Sequence, residues 1–346
     1  MRKIITTICL LLFSILALAQ SSEATVHVEN NKVKFDTSRV ESHYDELAVY
    51  LFTIRKFRNF ELKSTELDNG LKFEPNGQTN IGLGFNYKWI GIGMAFSLPF
   101  MNKDNDVYGE TSRFDLQLNL FSRFYGISAY FQNYKGFHLE NQKDFLAQPA
   151  SNYPYLEDLQ SFSLGVEAYY FFNNKKFSYK AAFIRNEVQK KSAGGFILGG
   201  FYKLSAISAP SGFIPDELPD SLNQIFNING YVTSSFGLSF GYAYTFKLFK
   251  RAFINLSAVP GIGARSLTIY KINEGEETIH DGTGNFTARF SLGYEGKRLY
   301  WGLASIISVE SFKYETIDIS ASTGYVRLYV GKRFDLKKKK KEKTTD

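Results

Sequence analysis

Residues 230–246 read GYVTSSFGLSFGYAYTF. The even positions Val232, Ser234, Phe236, Leu238, Phe240, Tyr242, Tyr244 and Phe246 are nearly all large and apolar. The odd positions Tyr231, Thr233, Ser235, Gly237, Ser239, Gly241, Ala243 and Thr245 are nearly all small or weakly polar. A side-chain period of two places the two sets on opposite faces of a strand and excludes a helix. About 9–11 tilted residues cross a bilayer core, so one such strand spans it and projects beyond.

The same grammar recurs on both sides of this stretch. Ile81, Leu83, Phe85 and Tyr87 alternate with small residues. After Trp89 the apolar phase switches to Ile90, Ile92, Met94, Phe96 and Leu98, which marks a tight turn between paired strands. Phe114, Leu116, Leu118 and Leu120 alternate with Asp115, Gln117 and Asn119, and Tyr125–Phe131, Phe162–Phe172, Phe177–Ile184 and Phe196–Leu204 follow. Ala252–Ala258, Phe286–Tyr294, Tyr300–Val309 and Tyr325–Phe334 complete the set, and Leu47–Arg55, with Phe57–Lys63 as its continuation, begins it. Short turns alternate with long polar loops, the pattern of bacterial outer-membrane barrels. The loops around Pro99–Glu110, Asn133–Asp158 and Asn273–Gly284 are expected to face outward, and Pro210–Asn229 reads as a further long loop. The expected fold is therefore all-β: an antiparallel transmembrane β-barrel of about 12 strands, within a range of 12–14. One inconsistency remains between Phe177 and Gly230, where assigning every short turn to one side of the membrane breaks the even parity a barrel requires.

Four regions follow. Residues 1–19 carry Arg2 and Lys3, an apolar Ile4–Leu16 run and an Ala17-Leu18-Ala19 cleavage pattern, which together read as a secretory signal peptide. Residues 20–46 are a polar, flexible leader, 47–334 the barrel and 335–346 a basic tail. The one cysteine, Cys9, falls inside the signal, so the mature chain has no thiol to form a disulfide or bind a metal. The net charge of +7 falls to +5 without Arg2 and Lys3, and the tail Lys337–Asp346 carries +4 of what remains. A barrel body close to neutral offers nucleic acid no surface. A mean hydropathy of -0.21 excludes a helical membrane protein but not a barrel, whose alternation averages out. Aromatic residues make up 16% of the chain, enough for the interfacial girdles of a membrane barrel.

Several segments resemble an uncharacterised domain-of-unknown-function family, number 4421. They are Tyr50 with Arg55-Lys56, Phe60-Glu61-Leu62, Phe73-Glu74-Pro75-Asn76, the run from Asn80 to Gly93, Gln189-Lys190-Lys191-Ser192-Ala193-Gly194, and Gly331-Lys332-Arg333-Phe334. The resemblance implies an exported, outer-membrane-type protein and brings no catalytic residue with it.

The chemistry is sparse. His27, His43, His138 and His280 all fall in the leader or in expected loops, so His138 near Glu140 and His280 beside Asp281 read as solvated rather than metal-binding. Serines such as Ser192 and Ser308 have no histidine spaced with them on a strand, which disfavours a lipid hydrolase built into the barrel. Gly82-Leu83-Gly84, Gly91-Ile92-Gly93 and Gly261-Ile262-Gly263 lack the helix a phosphate loop requires and read as the small face of strands. Asp115, Glu167, Lys203, Arg289, Arg327 and Arg333 occupy the phase opposite the apolar face and should point into the lumen. They would form either a structural ion-pair network or a polar path for a small solute. Phe334 ends the last strand and is the candidate signal for the barrel assembly machinery, although Leu336 and the lysine run follow it.

The expected protein is thus non-enzymatic, structural or a narrow transport channel, with no cofactor, metal or catalytic residue. It is expected in the cell outer membrane after Sec-dependent export, with outer-membrane lipid and the assembly machinery as partners. A membrane-embedded lipid-modifying hydrolase and a secreted soluble lipid-binding barrel are the alternatives.

Overall fold

Alternation sustained over about twenty residues builds strands longer than a bilayer requires, and the computed structural model contains several of them. It describes residues 35–87, 90–97, 104–148 and 151–336. The signal segment 1–19, residues 20–34 of the leader, the Trp89 turn, Leu98 with the loop start at Pro99–Lys103, and the tail Lys337–Asp346 lie outside the described residues.

In chain order the elements begin with β1 (Val40–Ser42), β2 (Glu46–Ser64), β3 (Leu71–Glu74), β4 (Thr79–Tyr87) and β5 (Ile90–Ser97). The short helix α1 (Asn105–Tyr108), β6 (Ser112–Phe121), β7 (Tyr125–Leu139) and β8 (Tyr155–Phe171) come next. Helix α2 (Tyr179–Phe183), β9 (Glu187–Gln189), β10 (Ala193–Ser208) and helix α3 (Ser221–Ile225) lead to the long strands β11 (Ile228–Leu248), β12 (Ala252–Lys271) and β13 (Gly275–Glu295). β14 (Leu299–Tyr314) and β15 (Ile317–Asp335) end the series.

Ten strands close an antiparallel ring in the order β2, β3, β7, β8, β10, β11, β12, β13, β14, β15 and back to β2. β3 bridges only one end of that ring, pairing with Phe60–Leu62 of β2 and with His138–Leu139 of β7. Beyond it β4 and β5 continue from β2, and β6 from β7, so the wall there contains the expected 12 strands. β2 starts and β15 finishes at the same end, which is called the lower end below; the two run side by side from Glu46–Asp335 to Ser64–Ile317.

Phase decides the two faces. Phe236, Leu238 and Phe240 on β11, Ile262 on β12, Leu116 on β6 and Leu328 on β15 stand exposed outward, whereas Thr233, Ser235, Ser239 and Thr245 are buried inward. An apolar belt outside and a polar, filled interior is the arrangement of a transmembrane barrel, the reverse of a soluble one.

The parity problem resolves at Phe177–Ile184, which is not a strand. The chain turns through Asn173 at φ 57° and enters the barrel as α2, capped by Ser178, whose Oγ accepts from the Ala181 N–H at 3.2 Å. The apparent alternation of Phe177, Tyr179, Ala181 and Phe183 is only four residues deep. Tyr179 with Ala182 and Phe183 also satisfies helical spacing, and the second pattern wins. Two loop boundaries also differ from expectation. Asn273–Gly284 is mostly strand, because β12 and β13 pair as far as Lys271 and Gly275. β7 runs to Leu139 and β8 starts at Tyr155, which shortens the loop expected over Asn133–Asp158.

Wall spacing depends on small residues where β11 and β12 meet. Gly237 pairs with Gly263, and a Cβ on Gly237 would stand 2.6 Å from the Gly263 Cα and 2.7 Å from the Phe201 ring. Valine there forces the strands apart. Gly237→Val is expected to destabilise the barrel by about 3 kcal/mol or more through overpacking, seen as loss of the heat-modifiable folded band on a denaturing gel.

Candidate functional site

The lumen is the interior site the fold creates, and it is filled at three levels. At the upper end the inner face turns apolar. Phe60 stacks on Phe73 at 4.8 Å, and Phe213 from the loop after β10 packs edge-on to Phe60 at 6.0 Å. That loop, expected only as a long connection, folds Phe213, Leu218, Leu222 and Phe226 inward into one cluster with Leu62, Leu267 and Ile319.

The middle level is polar. Glu167 of β8 faces Lys203 of β10 at 3.5 Å and Arg289 of β13 at 3.7 Å, and it accepts from Thr287 at 3.2 Å and from the Tyr169 hydroxyl. Lys203 donates to Ser308 at 2.9 Å, and Arg289 to Tyr179 of α2 at 3.0 Å and to Ser128 at 2.9 Å. A second group centres on Asp115 of β6. Lys56 approaches it at 2.7 Å, Gln132 donates to it at 2.8 Å and Tyr134 at 2.7 Å. Arg58, fully inside, donates to the hydroxyls of Ser161 at 3.1 Å and Ser205 at 2.8 Å.

At the lower end residues 172–192 form a plug. Arg185, held at φ 68°, reaches Glu295 of β13 at 3.1 Å and Ser291 at 2.9 Å. Arg333 of β15 meets the other carboxylate oxygen of Glu295 at 2.6 Å and donates to the Arg185 carbonyl at 3.0 Å. The outer side of the plug is clasped by the leader. β1 pairs with β9 through Val40–Gln189, Glu41–Val188 and Ser42–Glu187, and Arg123 holds Glu187 at 2.9 Å. Burial pushes the Lys180 ammonium of α2 below its ordinary value, while Glu187 opposes the shift.

All six charges read from phase lie on the inner face. Glu167, Lys203 and Arg289 form one cluster, whereas Asp115, Arg327 and Arg333 belong to three separate environments. Among the described residues Arg327 has no ion-pair partner. Its guanidinium sits between the rings of Phe52, Tyr325 and Tyr329 at 5.8–5.9 Å, and its Nε is buried without an acceptor. Phe334 is the next-to-last residue of β15 and lies on the outer face, with the Lys332 ammonium 5.3 Å over its ring.

Phase reading missed Lys56, Arg58, Arg185 and Glu295. It also misplaced two histidines. His138 is in β7, buried between Tyr108 at 4.9 Å and Tyr153 at 5.4 Å, and His280 lies in β13. Among the described residues no group of three or more His, Cys, Asp or Glu side chains could hold a metal ion.

A family model described as a domain of unknown function, DUF4421, matches residues 34–334. The chain belongs to that DUF4421 family. The match begins ahead of β1 and ends at Phe334, so it takes in the leader clasp, the plug and the barrel strands. Among curated proteins, nothing matches. Solved structures similar to this DUF4421 chain include the outer membrane protease OmpT from Escherichia coli, at 8% identity and a TM-score of 0.38 over 86% of this chain and 100% of that one. The translocator domain of autotransporter NalP from Neisseria meningitidis gives 6% identity and a TM-score of 0.33 over 83% and 88%. The Pseudomonas putida toluene transporter TodX gives 8% identity and a TM-score of 0.25 over 84% and 90%. At that level of likeness the three say nothing about activity.

Proposed function

We propose that this protein is a non-enzymatic outer-membrane β-barrel whose lumen is closed to water along its axis, exported through its 1–19 segment, with its lower end in the periplasm. The observation that carries this reading is the occupation of the lumen at three levels: the upper apolar core, the Glu167–Lys203–Arg289 cluster and the plug anchored by Arg185. An apolar layer across a channel excludes ions by dewetting. Beneath it Lys203 and Arg289 are bound together through Glu167. The outward belt supports a bilayer location over a soluble lipid-binding barrel. Against a hydrolase, no histidine among the described residues hydrogen-bonds to a serine, and Ser308 accepts from Lys203 instead. Phe334, at the lower end of the last strand, fits a role in recognition by the assembly machinery.

The test combines membrane fractionation, gel mobility with and without heating, and single-channel recording in planar bilayers. The expected result is a heat-modifiable protein of the outer-membrane fraction without a stable unitary conductance. A long-lived open channel, recovery in the aqueous fraction, or release of fatty acid from phospholipid would each overturn the reading.

A further inference from the structure

The wall is interrupted, among the described residues, between β5 and β6. Among the described residues β5 pairs with β4 and β6 with β7, and no ladder joins β5 to β6. In hydrocarbon every unpaired backbone group is costly, so such an edge at membrane depth needs polar partners, such as water or the head group of a ligand. The Gly93–Phe96 stretch of β5 is exposed on both faces, with Met94 and Phe96 outward and Gly93 and Ala95 inward. Above, the gap is closed by the Lys56–Asp115 ion pair and by Arg113, which donates to the Asn76 carbonyl at 3.0 Å.

Aromatic rings lie directly behind it. A Cβ on Gly93 would stand 3.2 Å from the Tyr50 hydroxyl and 3.3 Å from the Phe52 ring, so both rings abut the inner surface of β5. The same Phe52 ring lies 5.9 Å from the Arg327 guanidinium. Arg327, a lumen cation without an anion among the described residues, therefore sits a single ring's width behind β5, the strand that borders the break. Its environment combines apolar faces with a planar donor fork, which suits a carboxylate attached to an alkyl chain.

We propose that the β5–β6 seam admits a single-chain amphipathic carboxylate from the surrounding bilayer, its head paired with Arg327 and its chain lying across Phe52 and Ala95 into the membrane. This rests on the closed-lumen reading, because blocked ends leave the side of the barrel as the way in. The glycine-lined inner face of β4 and β5 limits the occupant to one chain, since Gly82 and Gly84 are already covered by the Phe52 and Tyr50 rings.

The test uses the full chain purified in dodecyl maltoside and a palmitate bearing a photoactivatable diazirine on its tail, with the corresponding alcohol as the uncharged control. The expected result is adducts on β5 and β6 peptides that unlabelled palmitate competes away. Labelling falls by about fivefold or more in R327Q, as for loss of a charge-assisted bond, and is partly recovered in R327K. The alcohol labels weakly at these peptides. Adducts spread around the outer belt, or equal labelling by acid and alcohol, would overturn the site. Should R327Q fail to fold, the acid-to-alcohol comparison on the unaltered chain and R327K still decide. A stable channel in planar bilayers would instead overturn the closed lumen and leave the adduct map to be judged by itself.

Discussion

Glu295→Ala is expected to lower the unfolding free energy by about 3–5 kcal/mol, the usual loss when one partner of a buried ion pair is removed. Glu295 is the single carboxylate between Arg185 of the plug and Arg333 of β15, and all three side chains are at most 5% exposed. Removing it leaves two buried guanidinium groups, with the Arg185 carbonyl still held 3.0 Å from Arg333. Urea unfolding in lipid vesicles, followed by tryptophan emission, measures the loss. Substituting Arg185→Met in the same background removes one of the stranded cations and should recover part of it, a coupling that a double-mutant cycle reads directly. Limited proteolysis gives an independent readout. If Arg185 tethers the plug through Glu295, the Glu295→Ala protein is cut between residues 173 and 192 while its strands stay protected. An unfolding free energy within about 1 kcal/mol of the unaltered chain, small beside a buried-pair loss, would show that the plug is held mainly by its apolar side chains.

The wall was legible because its outward face is exposed and apolar along each strand. Phe236, Leu238 and Phe240 have one environment, so alternation survives in the sequence. The interior is different. β2 shows why: its inward positions are Phe52 and Ile54 low in the barrel, Lys56 and Arg58 at mid-level, and Phe60 and Leu62 in the upper core. Outward Leu51 and Phe57 then leave no clean two-residue period, and the strand reads as two pieces. Lys56 and Arg58 were lost at that join.

Partner choice was illegible for another reason. Glu167, Lys203 and Arg289 meet across a closed ring, and phase fixes a side chain's face without fixing which strand lies opposite. Glu295 falls just past the expected Phe286–Tyr294 strand because its strand ends there. Arg185 followed a segment whose short alternation imitated a strand, and that one misreading also produced the parity conflict. The inward loop after β10 did leave a trace. Leu218 and Leu222 stand four apart beside Phe213 and Phe226, more apolar surface than a solvated loop carries.

The middle cluster separates a structural network from a functional path. Glu167→Leu alone is expected to destabilise by about 3–5 kcal/mol, because Lys203 and Arg289 would remain charged and buried. Replacing all three, with Glu167→Leu, Lys203→Met and Arg289→Met, removes the charges together and should recover most of that loss. Recovery stays incomplete because the Ser128, Tyr179 and Ser308 hydroxyls lose their partners, each worth about 1 kcal/mol. Vesicle unfolding in urea compares the single, the triple and the unaltered chain. A recovered triple variant means that these charges mainly compensate one another, as expected of filling in a closed lumen. A triple variant as weak as the single one would mean that the barrel depends on the charges themselves, and the cluster would then have to be tested as a binding site for a polar solute.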